Sequence, residues 1–351
     1  MRRGIELIMK VTAVKFSILI ATFNRAAVLQ QTLESLATLQ PDGSWEVIVV
    51  DNNSPDDTRQ VVEAATANFP VPLRYVFERE PGRSAALNSG FKAARGAILV
   101  TTDDDVRVDP DWLDRIAAGF EAHGCDYIGG RVLPVWPGER PDWLPARKEV
   151  LCGVIAVLDY GPEPIRYGAR VPLGVNMAIR REALGRAGGF DCRIGRKAGT
   201  LLGQEVREWC VRAHAAGLVG YYVPDVVVHH LIPRDRLTKS YFRRWYYWRG
   251  VSRAILYADC GLDMENPEGS PQDVARTRHI AGVPRYLFRT ALVKLKETVA
   301  ARLAGDTVGS FDGELWLCFF GGIVRRRWRD RRAALPTANH GVAAVTTPQN
   351  A

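Results

Sequence analysis

The chain has 351 residues, with 47 Lys+Arg against 39 Asp+Glu and a formal net charge of +8. Hydrophobic residues make up 47% and charged residues 25%, which excludes a wholly disordered chain, a collagen and a polytopic membrane protein. Residues 1–232 carry 27 basic and 28 acidic side chains and residues 233–351 carry 20 and 11, so a near-neutral body precedes a basic C-terminal region and a nucleic-acid-binding role is not expected.

The chain opens on a short tail, residues 1–14. Its apolar positions are broken by Glu6 and Lys10, so no signal peptide is expected. Phe16 to Ala21 is an apolar run that predicts a buried strand, with Thr22-Phe23-Asn24-Arg25 as the loop after it. Leu29, Leu33 and Leu36 fall at helical spacing, and Pro41-Asp42-Gly43 ends that unit. The β-branched run Glu46 to Val50 predicts a second strand ending at Asp51, and Ser54 or Asp56 is placed to cap the next helix. A third strand is expected over Leu73 to Glu78, a helix over Arg83 to Ala94, a strand over Ala97 to Thr101 and a helix over Pro110 to Phe120.

Beyond residue 130 the alternation weakens, and Pro134, Pro137, Pro141 and Pro145 mark an irregular segment. Ordered signals return over Val171 to Arg181 and Gly203 to His230. After Pro233 the composition becomes rich in Arg and aromatics, and from about Ala333 it predicts a disordered tail. The six cysteines form no CxxC pair, and reduced thiols in the cytoplasm are the simplest expectation.

Alternating strands and helices with continuously apolar strands imply a parallel sheet covered on both faces. Ligands bind at the carboxyl ends of such strands. Three polar loops converge there: Thr22 to Arg25, the loop from Asp51, and Asp103-Asp104-Asp105. Three adjacent carboxylates repel unless a cation or hydrogen-bond donors share their charge, and carboxylate oxygens suit Mg²⁺ or Mn²⁺. Taken alone, the triplet is equally well a solvated acidic turn.

Four segments in order carry a resemblance. These are Ile18 to Arg25, Val47 to Ser54, Pro81 to Gly90, and Asp103-Asp104-Asp105 with Pro110 and Trp112-Leu113 beyond it. Together they resemble the family 2 glycosyltransferases. The resemblance covers roughly residues 14–232 and implies an α/β GT-A type fold, a Rossmann-like mixed sheet flanked by helices. A basic, mostly helical C-terminal extension would follow over 233–332. Within the catalytic domain, 15–130 would be the nucleotide half and 131–232 the acceptor half, with 333–351 as the tail.

The resemblance implies a nucleotide-diphosphate sugar donor, a hydroxyl acceptor and an inverting, metal-dependent transfer. It assigns donor contacts to Thr22, Phe23, Asn24, Asp51, Arg83, Asn88 and Asp104. It assigns the metal to Asp103 and Asp105 as the DxD motif. Gly174 to Ala183 resembles the segment lining the sugar and acceptor site. Gly203 to Glu208 stands at the family's ED motif, where the second acid is the general base, so that role falls on Glu205. Gln204 replaces the usual first acid, and Glu208 is a rival base one turn on.

Val223 to His230 resembles the closing strand with its terminal His as a further metal ligand. Strand alternation sends His229 and His230 to opposite faces, and His230 is the preferred candidate. A GT-A-fold nucleotidyltransferase and a degenerate scaffold are the alternatives.

The Arg-aromatic stretch Lys239 to Arg249 is expected to pack on the catalytic domain, with its arginines reaching the diphosphate. Leu315 to Val324, followed by six arginines up to Arg332, reads equally as peripheral attachment to an anionic membrane surface or as a last core helix with a solvated basic end.

Overall fold

A computed structural model describes residues 14–144, 153–265 and 277–334. Cys152, Pro145 and most of the two expected tails lie outside the described residues.

Strands β1 (Phe16–Thr22), β2 (Trp45–Asp51), β3 (Leu73–Phe77) and β4 (Ile98–Thr102) are all parallel, in the order β3-β2-β1-β4. Every residue of β2 and β4 is buried, and all of β1 but Ala21. Helices α1 (Ala26–Leu36), α2 (Thr58–Thr66) and α3 (Arg83–Ala93) supply the crossovers. Leu29, Leu33 and Leu36 form the buried stripe of α1. This is why these strands lack polar alternation: both faces are covered.

The sheet continues with β5 (Val106–Val108), β6 (Tyr127–Val135), β7 (Ile165–Arg166), β8 (Met177–Arg180) and β9 (Gly220–Leu231). Among the described residues these complete a nine-stranded mixed sheet, ordered β3-β2-β1-β4-β8-β6-β9-β5 with β7 also on β9. β8 runs antiparallel to β4 and β6, and β5 pairs antiparallel with the end of β9. The register of β6 against β9 shifts between Gly130 and Arg131. Buried Asn176 closes that shift: its Nδ2 donates to Arg131 O and Val226 O at 2.9 Å each, and Trp112 Nε1 donates to its Oδ1 at 3.1 Å. Helices α4 (Trp112–His123), α5 (Arg181–Ala187) and α6 (Glu205–Ala215) complete the layer around the sheet. The architecture is the mixed α/β fold expected from the resemblance.

The C-terminal region is helical. α7 (Lys239–Cys260), α8 (Arg285–Leu303) and α9 (Thr307–Ala334) build a second core around Phe242, Trp245, Leu315, Phe319 and Ile323. Leu144, Val154, Ile155, Leu201 and Ile232, which precede α7 in the chain, belong to the same core. The apolar stretch within Leu315 to Val324 is thereby covered by α7. Of the two readings it allowed, the structure supports the core helix. Gly250 of α7 and Gly322 of α9 let the backbones touch: a Cβ at either would meet a carbonyl of the facing helix, Phe319 O or Tyr247 O, at 2.0 Å.

Among the described residues no helix is long and apolar enough to cross a membrane. Exposed large apolar side chains cluster on α8, at Leu292, Val293, Leu295, Val299 and Leu303, whereas Phe23, Phe77, Ile280, Val308 and Trp328 are exposed elsewhere.

Candidate functional site

The carboxyl ends of β1 and β4, the start of α3, the entry to α6 and the middle of α7 enclose a cavity of about 780 Å³. That size lies within the ordinary range of small-molecule sites. Thr22, Phe23, Arg83, Asp103, Asp104, Asp105, Glu205 and His230 all line it. The parallel strands explain the convergence, because β1 and β4 are neighbours and end at the same edge.

The three aspartates occupy different environments. Asp104 is buried; Thr22 Oγ1 donates to its Oδ2 at 2.7 Å and Arg25 Nη1 to its Oδ1 at 2.5 Å. Burial, against the pull of Arg25 and helped by the neighbouring Asp105 charge, raises its pKa to about 7. Asp105 is held well below the usual carboxylate range: burial opposes this, but His230, Arg25 and Arg236 outweigh it. Arg25 Nη1 stands 2.9 Å from Asp105 Oδ2 and Arg236 Nη2 3.7 Å from it. Two like charges this close split their affinities for the proton. Asp103 is the most exposed of the three and is gripped by Arg83, with Nη2 at 2.7 Å and Nε at 3.2 Å from its Oδ1.

Arg83 also donates from Nη1 to Glu205 Oε1 at 3.1 Å. Burial alone would lower the pKa of Arg83, but Asp103 and Glu205 raise it. Glu205 is the first residue of α6 and is mostly buried at the cavity wall. Gln204 before it has a φ of 80°, a strained left-handed conformation for a residue with a Cβ, and its Oε1 is buried without a hydrogen-bond partner. Glu208 is turned away, paired with Arg212 through Nε at 2.6 Å and Nη2 at 2.7 Å, and is not among the lining residues.

His230 and His229 face opposite ways, as alternation requires. His229 Nε2 is 3.3 Å from Asp109 on the outer side. His230 is buried with its Nε2 3.4 Å from Asp105 Oδ1. Asp105 is thus held by the charges of Arg25, Arg236 and His230 rather than by formed hydrogen bonds, and His230 Nδ1 is buried with no hydrogen-bond partner. Buried polar atoms without partners are costly and point to a missing ligand. Among the described residues no three of His, Cys, Asp or Glu converge as a preformed metal cage.

Three expected donor contacts sit elsewhere. Asn24, at φ 55°, places its backbone N 2.9 Å from Ser54 Oγ. Asp51 receives Tyr75 OH at 2.7 Å and Ser54 N at 2.9 Å, which fixes the loop after β2. Asn88 is engaged with the Phe190 backbone in both directions at 2.8 Å. None of the three lines the cavity, whereas Asn52 and Asn53 do. Arg25 and Arg236 were not singled out from the sequence. Arg25 stands in the polar loop between β1 and α1, which was a usable signal; Arg236 reaches Asp105 only through the fold.

The family model for glycosyl transferase family 2 matches residues 17–186. The chain is 22% identical over 246 residues to the glucosyl-dolichyl phosphate glucuronosyltransferase of Haloferax volcanii, covering 69% of this chain and 77% of that one. It is 27% identical over 245 residues to the succinoglycan biosynthesis protein ExoM of Rhizobium meliloti, covering 68% and 74%. Its fold is similar to that of a mannosyltransferase from Pyrobaculum calidifontis solved with GDP-Man and Mn²⁺, with a TM-score of 0.58, 19% identity and 90% and 87% of the two chains covered. Residues 17–186, which include the strands leading to the three aspartates, are thus a glycosyl transferase family 2 region, in a chain with the GT-A fold and glycosyltransferase relatives over about two thirds of its length.

Proposed function

We propose that this enzyme is an inverting, metal-dependent transferase that moves a sugar from a nucleotide-diphosphate donor to a hydroxyl acceptor, in cell-envelope polysaccharide or glycolipid synthesis. The observation that carries the reading is the buried pair Asp105 and His230, with His230 Nδ1 lacking a hydrogen-bond partner, at the edge where the parallel strands end and within one cavity with Glu205. Mg²⁺ and Mn²⁺ take one or two carboxylates and fill the remainder with phosphates and water, so a cage of protein ligands is not required. Asp105 and His230, with Asp103 two residues before Asp105, are the residues proposed to hold the ion. When bound, it would neutralise charge on the departing diphosphate.

The chain's own groups account for the rest. Asn52, Asn53 and Phe23 border the part of the cavity proposed for the nucleoside, and Arg25 and Arg236 offer positive charge to phosphate. Glu205 takes the proton of the acceptor hydroxyl while that oxygen bonds to the anomeric carbon and the bond to the diphosphate breaks. A single displacement inverts the anomeric configuration. Arg83 holds Glu205 in position for that role.

The anticipated membrane surface is best supported at α8. Its outward Leu292, Leu295, Val299 and Leu303 are accompanied by Arg289, Lys294, Lys296 and Arg302 on the same helix, a composition suited to an anionic bilayer face. The free thiols of Cys125, Cys192, Cys210, Cys260 and Cys318 fit a reducing, cytoplasmic side. A panel of nucleotide-sugars, assayed for donor consumption with Mn²⁺ and then with excess chelator, tests the reading. Turnover undiminished by chelator would remove the metal role, and no response to any donor would remove the donor class.

A further inference from the structure

Arg253 lines the same cavity from α7, yet it takes no part in the chemistry above. It is only 4% exposed, and its Nε and Nη1 are buried with no hydrogen-bond partner. A guanidinium stays charged in a protein, and a buried charge without a partner is strongly destabilising. Arg253 is also crowded by its own kind. Burial disfavours its charge most, followed by Arg207 and Arg249, and only Asp263 acts the other way.

The cavity as a whole has the same bias. Eight basic side chains and four acidic ones line it, and each of the four acids is already paired with an arginine. The two phosphates of a donor and a divalent ion cancel one another, so donor binding leaves the surplus in place. Arg207 lies two residues beyond Glu205, and its Nη1 donates to Ala169 O in the half of the chain that follows β6. Arg249 stacks on Trp245 and Tyr246. Ser252, which donates to Trp248 O and accepts from Gly203 N, ties this part of α7 to the loop that carries Glu205.

We propose that Arg253, with Arg207 and Arg249, forms an anion subsite separate from the donor's diphosphate site, and that the acceptor carries an oxyanion seated there, a phosphate or a carboxylate. The acceptor assignment rests on the transferase reading; the subsite itself does not. The oxyanion supplies the charge that Arg253 lacks and anchors the acceptor at a distance from its reacting hydroxyl.

The test is the melting temperature of the full chain, titrated with inorganic phosphate or with glucuronate while Mn²⁺ and a saturating nucleoside diphosphate fill the donor site. A ligand at ten times its Kd should raise the midpoint by about 2 °C or more. A larger response to phosphate identifies a phosphorylated acceptor, and a larger response to glucuronate a uronate-bearing one. Arg253→Met should abolish the response, keep the response to nucleoside diphosphate with Mn²⁺, and melt higher than wild type when no anion is added. Arg253→Lys, which keeps the charge without the planar fork, should weaken the response severalfold and covers the case in which the Met variant does not fold. The proposal is overturned if neither anion shifts the wild type, if the shift survives in both variants, or if nucleoside diphosphate with Mn²⁺ abolishes it. An Arg253-dependent phosphate response with no response to any nucleoside diphosphate would instead sink the donor reading and leave the subsite standing.

Discussion

Arg83 Nη1 lies 3.1 Å from Glu205 Oε1, and the same guanidinium reaches Asp103 Oδ1 at 2.7 Å. One side chain thus spans the proposed metal edge and the proposed base. Gly82, with φ 138°, starts the helix that delivers it, and Arg83 N donates to Arg196 O at 2.9 Å.

Glu205→Gln should retain nucleotide binding and lose transfer. The substitution keeps the shape and a carbonyl oxygen for Arg83 but cannot accept the proton. General-base removal costs about 10²- to 10⁴-fold in rate. Steady-state transfer rates beside nucleotide affinity by calorimetry check this, and a fully active variant would move the role away from Glu205.

Asp105→Asn should raise the Mn²⁺ concentration needed for half-maximal transfer at least severalfold. The amide halves the oxygen donors of the Asp105–His230 pair and leaves Arg25 and Arg236 with less negative charge to balance. Titration of free Mn²⁺ by electron paramagnetic resonance reads the effect without relying on turnover.

Adjacent glycines of α9 should respond with opposite signs. A Cβ at Gly321 would meet nothing within 4 Å, so Gly321→Ala should stabilise by up to about 1 kcal/mol through helix propensity. Gly322→Ala drives a methyl into Tyr247 O, and overpacking of about 1–3 kcal/mol outweighs that gain. Gly250→Ala, on the other side of the crossing, should behave like Gly322→Ala. Urea denaturation midpoints decide this.

Stability should fall as the pH drops below about 6.5, the ordinary His value. Burial, and then Arg166, lower the pKa of His214 in the folded chain. The unfolded chain therefore binds the proton first, and the stabilisation present above the unfolded pKa is lost as pH falls through the folded one. Neutral His214 Nε2 sits 2.8 Å from Tyr127 OH, a contact that protonation removes as an acceptor. Melting temperatures of wild type and His214→Gln between pH 7.5 and 5 should converge at the acidic end.

Anionic vesicles should capture the protein through α8. Replacing Leu292 and Val299 by Glu should reduce co-sedimentation with phosphatidylglycerol vesicles severalfold, with little effect on neutral ones. Equal binding by wild type and variant would remove α8 as the membrane surface.

The sequence made the parallel half legible because its strands are apolar runs ended by polar loops. Leu73 to Glu78 and Arg83 to Ala94 differ from the observed β3 and α3 by one residue at their ends. The mixed half was far less legible. β5 and β7 are three and two residues long, and β8 pairs with β4 across about 75 residues of chain, a relation that local pattern does not encode. The aspartate triplet was visible as a charge cluster, but the division of labour among its members was not. That depends on Arg25, Arg83 and Arg236, which arrive from three different elements. Leu315 to Val324 was ambiguous for a similar reason: an apolar stretch does not say what covers it, and Gly250 with Phe319 settles that only in three dimensions.

Leu201 precedes the proposed base by four residues, lines the cavity and belongs to the core of the C-terminal helices. One wall of the cavity is therefore built by the bundle, whereas its three aspartates hang from the sheet. On the proposed reading, substitutions among the bundle helices would reshape that wall without touching the aspartates, so the range of bound molecules could drift independently of the carboxylate edge.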